Sequence, residues 1–375
     1  RKMAVESDER SEPLEYGWRF AQAITNDDKD RAKMQEAVAL AYLEKGNTAR
    51  SLEMARQIDN WRRVVVLGET AARLAHAGRA DKARAIIDEA KLFLVVEVDS
   101  DGWRATRAAM HIAAAQACLG EQKKMDVLSE AFAADRDHRG RAGAYRALSY
   151  AVNGDAERAL ELMDAVGKVK PFFDELVWRV EGFLLLAESG ALSRKQARQA
   201  IERAAEAMRR VPGTKRLFLG LRVADAAFGI LPKQDADALL QEATHAVLES
   251  RASHDVRAAL LARAMLAWAR QGREDKVAEV SAVAEDPGLR RPLLTTQAAE
   301  FYGLLAEAYL LAGLPDKSLA ALRDALAVTA KQPNRRPKGM AAVFVCLSLD
   351  RRGRGAGEVK AELDGLLEVL NGQTS

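Results

Sequence analysis

Five histidines (His76, His111, His138, His245 and His254) and two cysteines (Cys118 and Cys346) are the side chains best suited to metal binding or nucleophilic chemistry. A zinc protease needs two helical histidines one turn apart with a glutamate between them, and a structural zinc site needs cysteines or histidines a few residues apart. Neither spacing occurs, and no histidine has a second one four residues along. Each histidine reads as a surface or helix-end residue. Both cysteines sit among small apolar residues in helical segments, a setting for buried free thiols rather than a disulfide or an activated thiolate. The run Gly353-Arg354-Gly355-Ala356-Gly357 lacks the preceding strand that aims backbone N–H groups at a phosphate, and reads as a flexible turn. No serine, histidine and acid can be grouped, and carboxylates one turn from lysine or arginine are ordinary surface pairs. The sequence therefore offers no catalytic residue, no cofactor-binding residue and no metal ligand.

The elements that would position any site are helices. Aromatic residues make up 6% of the 375, and Val, Ile and Thr never alternate as a half-buried strand requires. The chain reads as all-α. Its 57 basic and 54 acidic residues leave a formal charge of +3, dispersed along the helices. Nucleic-acid binding needs a concentrated basic face, so no nucleic acid is expected. Two basic clusters, Arg335-Arg336-Pro337-Lys338 and Arg351-Arg352-Gly353-Arg354, bracket one helix and read as a solvated loop and helix end; docking of an acidic partner is the other reading. No apolar stretch approaches the roughly 20 residues of a membrane span.

Glycines recur where one helix ends and the next begins: Gly46, Gly78, Gly120, Gly154, Gly190, Gly272, Gly313 and Gly353. They stand roughly 32 to 42 residues apart, apart from a doubled gap around Leu231-Pro232, and such a period marks helix-pair repeats. First helices are predicted at 29–45, 60–77, 102–119, 139–152, 172–189, 214–229, 254–271, 293–312 and 337–352, with second helices between them. Asp155 follows Gly154, Pro315 occupies a first helical position, and Ser193 with Gln196 spells a capping box. Pro212, Pro287, Pro292, Pro333 and Pro337 fall between pairs. Residues 1–12 read as a loose polar segment, and a short helix over 13–24 is followed by Thr25-Asn26-Asp27-Asp28, good caps for the first pair. Tryptophan precedes arginine at Trp18-Arg19, Trp61-Arg62, Trp103-Arg104 and Trp178-Arg179. Each Trp is expected to wedge its first helix against the preceding repeat while Arg reaches water or an upstream Asp; a cation–π ladder is the alternative.

The segment Tyr302-Gly303-Leu304-Leu305-Ala306-Glu307-Ala308-Tyr309-Leu310-Leu311-Ala312-Gly313, continued by Asp316, Ser318, Leu322 and Ala325, resembles the tetratricopeptide repeat superfamily. Leu74, Gly78, Asp81, Ala83, Ile87 and Ala90 repeat much of that frame, as do Ala147, Tyr150, Gly154, Ala159 and Met163. The resemblance covers 29–371 and implies an α-α superhelix, a solenoid of about nine antiparallel helix pairs. In domain terms, 1–28 is a polar segment with a short capping helix and 29–371 is a single repeat array. The chain departs from the family in having periods longer than its usual 34, in Gln116 at an apolar position, and in a pair between Thr214 and Arg251 without the turn glycine.

The resemblance places Lys33, Glu36, Leu40, Gly68, Ala72, Ala75, Arg107, Met110, Ala114, Arg141, Ala144 and Leu148 on the concave face, with Gly303 and Glu307 further along. Most are small or apolar, which suits an apolar or helical segment lying in a groove, or equally first helices that pack on one another. The carboxylate clamp of chaperone-binding tetratricopeptide modules uses lysine and asparagine at inward positions; here Glu36, Gly68, Ala72 and Ala144 stand there, which disfavours that partner class. The expected function is a non-enzymatic scaffold that binds a protein or peptide through its concave face or ends and assembles a multiprotein complex. A ligand- or peptide-responsive regulator is the alternative, followed by an α/α-toroid enzyme. The composition slightly favours the cytoplasm, while a start at Arg1 with the first methionine at Met3 is compatible with a processed, exported chain.

Overall fold

The computed structural model describes residues 13–25, 27–97, 102–135, 137–168, 171–290, 293–353 and 355–372. The expected loose segment 1–12, and Asn26, Asp101, Pro292 and Arg354, lie outside them. Among the described residues all regular structure is helical. Helix α1 runs through 13–22. First helices follow as α2 (Asp28–Glu44), α4 (Arg62–His76), α6 (Trp103–Cys118), α8 (Arg139–Val152), α10 (Phe173–Glu188), α12 (Gly213–Ala227), α14 (His254–Arg270), α17 (Thr295–Leu311) and α19 (Arg335–Arg351). Second helices alternate with them: α3 (Thr48–Ala55), α5 (Ala80–Glu97), α7 (Gln122–Ala131), α9 (Ala156–Ala165), α11 (Arg194–Met208), α13 (Lys233–Leu248), α15 (Glu274–Ala284), α18 (Pro315–Lys331) and α20 (Lys360–Asn371). The short α16 (Pro287–Arg290) precedes α17, and a 3-10 turn at Ala356–Val359 precedes α20.

The turn chemistry follows from the glycines. All eight recurring glycines have positive φ, between 66° and 89°, a region that costs a side-chain-bearing residue roughly 1–2 kcal/mol. At Gly78 its own N–H reaches the Ala75 carbonyl at 2.9 Å and the Arg79 N–H reaches Leu74 at 2.8 Å, the paired bonds of a Schellman turn. The second bond recurs from Asn47 to Tyr42, Asp155 to Tyr150, Arg273 to Trp268 and Leu314 to Tyr309. The pair expected to lack a glycine has one after all: Gly229, with φ 87°, lies between α12 and α13. It stands 39 residues after Gly190 and 43 before Gly272, so it continues the period and fills the apparent doubled gap. Asp27 and Asp155 cap α2 and α9 through the amides of Asp30 and Arg158, and Ser193 with Gln196 forms the expected box. Pro315 starts α18 as expected, whereas Pro337 lies inside the first turn of α19 rather than between pairs. The first turn tolerates it because those N–H groups have no intrahelical acceptor.

The chain divides into two compact units, Ala55–Ala243 and a unit formed by Arg1–Met54 with Thr244–Ser375. In the Ala55–Ala243 unit, α4, α6, α8 and α10 pack each on the next, and α5, α7 and α9 cover them from the side. Gly68 of α4 sits against the backbone of His111, so that a Cβ there would approach its carbonyl carbon and oxygen to 2.8 Å. Such close contact between helices requires glycine.

In the other unit α14, α17 and α19 pack in succession, and the two chain ends meet, because α2 packs on α19. Gly339 of α19 abuts Ile24, and Gly17 lies against Cys346 and Val38. Arg336 bonds Asp30 at 2.5 Å and Asp27 at 3.2 Å, Lys45 pairs with the buried Asp350, and Tyr16 donates to Asp364. In the two basic clusters Arg335, Arg336 and Arg351 are exposed, as expected, whereas Lys338 and Arg352 are buried. Arg335 donates to the Leu370 carbonyl, Arg351 pairs with Glu307, and the buried Arg352 holds Ser318 and Glu358. Hydrogen-bond and charge partners make the burial of Arg352 tolerable.

Gly68→Ala should destabilise the protein by about 1–3 kcal/mol in chemical denaturation, because the added methyl meets backbone that cannot rotate away. Lys45→Ala should cost up to about 3 kcal/mol, since it leaves the Asp350 carboxylate buried without its cation, whereas Arg31→Ala, removing an exposed pair with Asp28, should cost less than about 1 kcal/mol.

Candidate functional site

The positions expected on the concave face separate into two sets. Met110, Ala144 and Leu148 are buried in the apolar core of the Ala55–Ala243 unit, with Ala72, Ala75 and Ala114 packed against it and Gly68 at the α4/α6 contact. Their small size serves contact between first helices. In the other unit Lys33 of α2 is exposed, and Glu36 and Leu40 are half-buried. Gly303 is spent on a helix contact too, its Cα facing Ser348, and Glu307 is buried under the Arg351 guanidinium. Burial raises the Glu307 carboxyl above its ordinary range despite the opposing pull of Arg351 and Ser348.

Arg107 and Arg141 remain accessible, and they belong to a polar and aromatic stripe across α4, α6, α8 and α10. Glu69 Oε1 lies 2.8 Å from His111 Nδ1, and Arg141 Nη2 lies 3.5 Å from His111 Nε2. Arg141 Nε also donates to Tyr145 Oη at 2.8 Å, and its guanidinium lies 5.2 Å from the Trp178 ring. Burial works to raise the Glu69 carboxyl, but the hydrogen bond and charge of His111, aided by Arg141 and Arg73, outweigh it and hold it low. His111 is thus a paired residue rather than the free surface residue expected. Sequence reasoning missed the stripe because its members are 30 to 42 residues apart, one per repeat.

At one end of the stripe the tryptophans behave unequally. Trp61 is buried, as a wedge should be, and Trp61 and Trp103 meet edge to face at 5.8 Å. Trp103 itself is 59% exposed, so the expectation that every Trp is buried fails there. Arg62 and Arg107 lie 4.6 Å and 5.4 Å from the Trp61 ring, and Arg104 lies 5.6 Å from Trp103. The cation–π arrangement named as the alternative is present at these positions.

Elsewhere the chemistry is quiet. Both cysteines are free and buried as expected. Cys118 Sγ lies 3.2 Å from His76 Nε2, a pairing invisible in the sequence, yet burial and the Glu69 charge push its thiol up to about 12 and keep it protonated. No cluster of three or more metal-ligating side chains exists among the described residues, and no helix there is long and apolar enough to cross a membrane. Of the glycine-rich run, Arg354 lies outside the described residues and Ala356 is buried at the start of the 3-10 segment.

Asp174, near the start of α10, is the one carboxyl of this unit, among the described residues, held well above its ordinary value, at about 6. Burial is the main cause; His138 and Arg141 oppose it, Asp137 and Glu175 add to it, and its Oδ2 accepts no hydrogen bond among the described residues. A carboxyl raised in the folded state binds more protons than the unfolded chain between pH 3.8 and about 6, so its contribution is full below that window and is lost as pH rises through it. Asp174→Asn should therefore flatten the fall in stability between pH 4 and pH 6.5, read from urea midpoints at matched ionic strength.

No family model matches the chain, and no curated protein matches it. Among solved structures, a chain from the crystal structure of an APC/C hetero-tetramer, Cut9-Hcn1, aligns over 85% of this chain and 76% of its own length at 13% identity and a TM-score of 0.25. A likeness that low carries no argument, and the architecture of consecutive helix pairs rests on the packing described above.

Proposed function

We propose that the chain is a non-enzymatic helical-repeat scaffold that captures a protein or peptide segment on the stripe of the Ala55–Ala243 unit. The observation that carries this reading is the exposed Trp103 set beside Trp61 and attended by Arg62, Arg104 and Arg107. An exposed tryptophan among arginines combines the residue types that dominate binding energy at protein interfaces. Arg62, Arg104 and Arg107 beside the two rings suit an acidic segment that contributes an aromatic or aliphatic side chain to the Trp103 face. The small residues expected to line a groove are occupied in helix contacts, and this shifts the proposed contact from an apolar cleft to a cationic, aromatic edge. Assembly of a multiprotein complex follows if the ends of the array engage further chains.

The wild-type protein immobilised as bait in extract of its native host should retain a stoichiometric protein, identified by mass spectrometry. Trp103→Ala should weaken that capture about thirty-fold, as expected for an interface hot spot, and Arg104→Glu with Arg107→Glu should abolish it at physiological salt. Retention of the same protein at equal affinity by all three would overturn the assignment of the stripe, and recovery of no stoichiometric protein would overturn the scaffold reading.

A further inference from the structure

The chemistry that suits the Trp103 edge is displayed by the chain itself. At the start of α10, Phe172 and Phe173 are 38% and 53% exposed, and they run directly into Asp174 and Glu175. Asp137, exposed in the turn before α8, adds its charge beside the Asp174 carboxyl. Two exposed aromatic rings among carboxylates are the complement of an exposed tryptophan among arginines.

Trp103 and Phe173 lie on one edge of the Ala55–Ala243 unit, because its first helices run parallel and in register. Trp61 meets Trp103 where α4 and α6 start, Arg139 meets Glu175 where α8 and α10 start, and Asn153 after α8 donates to the Gly120 carbonyl after α6. Neighbouring packed helices stand about 8–10 Å apart and α8 lies between α6 and α10, so roughly 16–20 Å separates the two aromatic sets. They cannot meet within one chain. Charge is left over at both ends of the edge: among the described residues Arg104 and Arg107 form no ion pair, and neither does Asp137, whereas Arg139 and His138 are spent on Glu175 and Asp135.

We propose that a second copy of this chain docks on the edge, Trp103 of each copy packing against Phe172 and Phe173 of the other while Arg104 and Arg107 face Asp137. The arrangement is self-complementary: a two-fold axis near the start of α8 forms both contacts at once and leaves neither end open. Association therefore closes at two chains instead of growing into a filament. The inference rests on the reading of the Trp103 edge as a binding surface, and it makes access to that surface depend on concentration, since an acidic segment of another protein must displace the second copy to reach Trp103. Contacts this small and polar suit a weak, reversible dimer.

Sedimentation velocity of the full chain at low salt, loaded at up to about 200 µM as a transient interface requires, tests the proposal. The wild type should pass from monomer to dimer as concentration rises, with no larger species. Trp103→Ala should weaken self-association about ten-fold or more, as should Asp137→Arg and the double variant Arg104→Glu with Arg107→Glu. The two charge variants mixed in equal amounts should dimerise as tightly as the wild type, because both contacts of the mixed dimer then pair opposite charges. A wild type monomeric throughout, a dimer unchanged by Trp103→Ala, or a mixture no tighter than its components would each overturn the proposal. Every substituted side chain is exposed, and Phe173→Ala, also exposed, supplies an independent loss if one of these variants fails to fold. A monomeric wild type that still captures another protein through Trp103 sinks this inference alone; loss of the dimer in Trp103→Ala with capture unimpaired sinks the capture reading alone.

Discussion

The bond from the residue after a turn glycine back to the carbonyl five residues earlier, made after Gly46, Gly78, Gly120, Gly154, Gly272 and Gly313, is the constraint on which the rest of the structure depends. It forces the chain through a left-handed conformation, so that the second helix returns along the first and each pair closes on itself. A pair closed in this way still has one uncovered face, and stacking on the next pair is what covers it. The recurring glycine is therefore the reason the first helices meet one another at all.

Once first helices are stacked, how closely they approach is decided by what stands between them. Gly68 against the His111 backbone and Gly303 against Ser348 let two helix axes come near, and buried alanines such as Ala113, Ala117 and Ala144 pack around the first of these contacts. Side chains too long or too polar for the seam are pushed to its edge. Glu69, His111, Arg141 and Trp178 form a connected line there, each supplied by a different helix and each partly satisfied by the next. The accessible chemistry of the Ala55–Ala243 unit is thus a by-product of tight helix packing, concentrated where arginine and tryptophan cannot be buried together.

The unit holding both chain ends solves a different problem. Its helices come from opposite extremes of the sequence, and charged groups rather than glycine turns join them: Lys45 with Asp350, Arg336 with Asp27 and Asp30, Tyr16 with Asp364. Burying such groups is tolerable because each finds an opposite charge or an acceptor, so these pairs specify which helix faces which more than they add stability.

The sequence by itself determined the local structure. Glycine at the left-handed position, Asp or Ser at the caps, Pro315 at a helix start and the 3.6-residue apolar rhythm act over a few residues, so first-helix bounds such as Arg139–Val152 and His254–Arg270 were legible almost to the residue. It also revealed that Cys118 and Cys346 are buried and that small residues line one side of the first helices. Tertiary structure alone decided what those small residues are for. Whether Ala144 faces a groove or a neighbouring helix depends on the distance between helices, and that distance is set by glycine contacts between segments tens of residues apart. The pairing within the basic clusters was hidden for the same reason: Arg336 meets Asp30, and Arg352 is buried against Ser318, only in the folded chain. Local rules write the helices and their turns, whereas burial and pairing depend on partners that only the folded chain brings within reach.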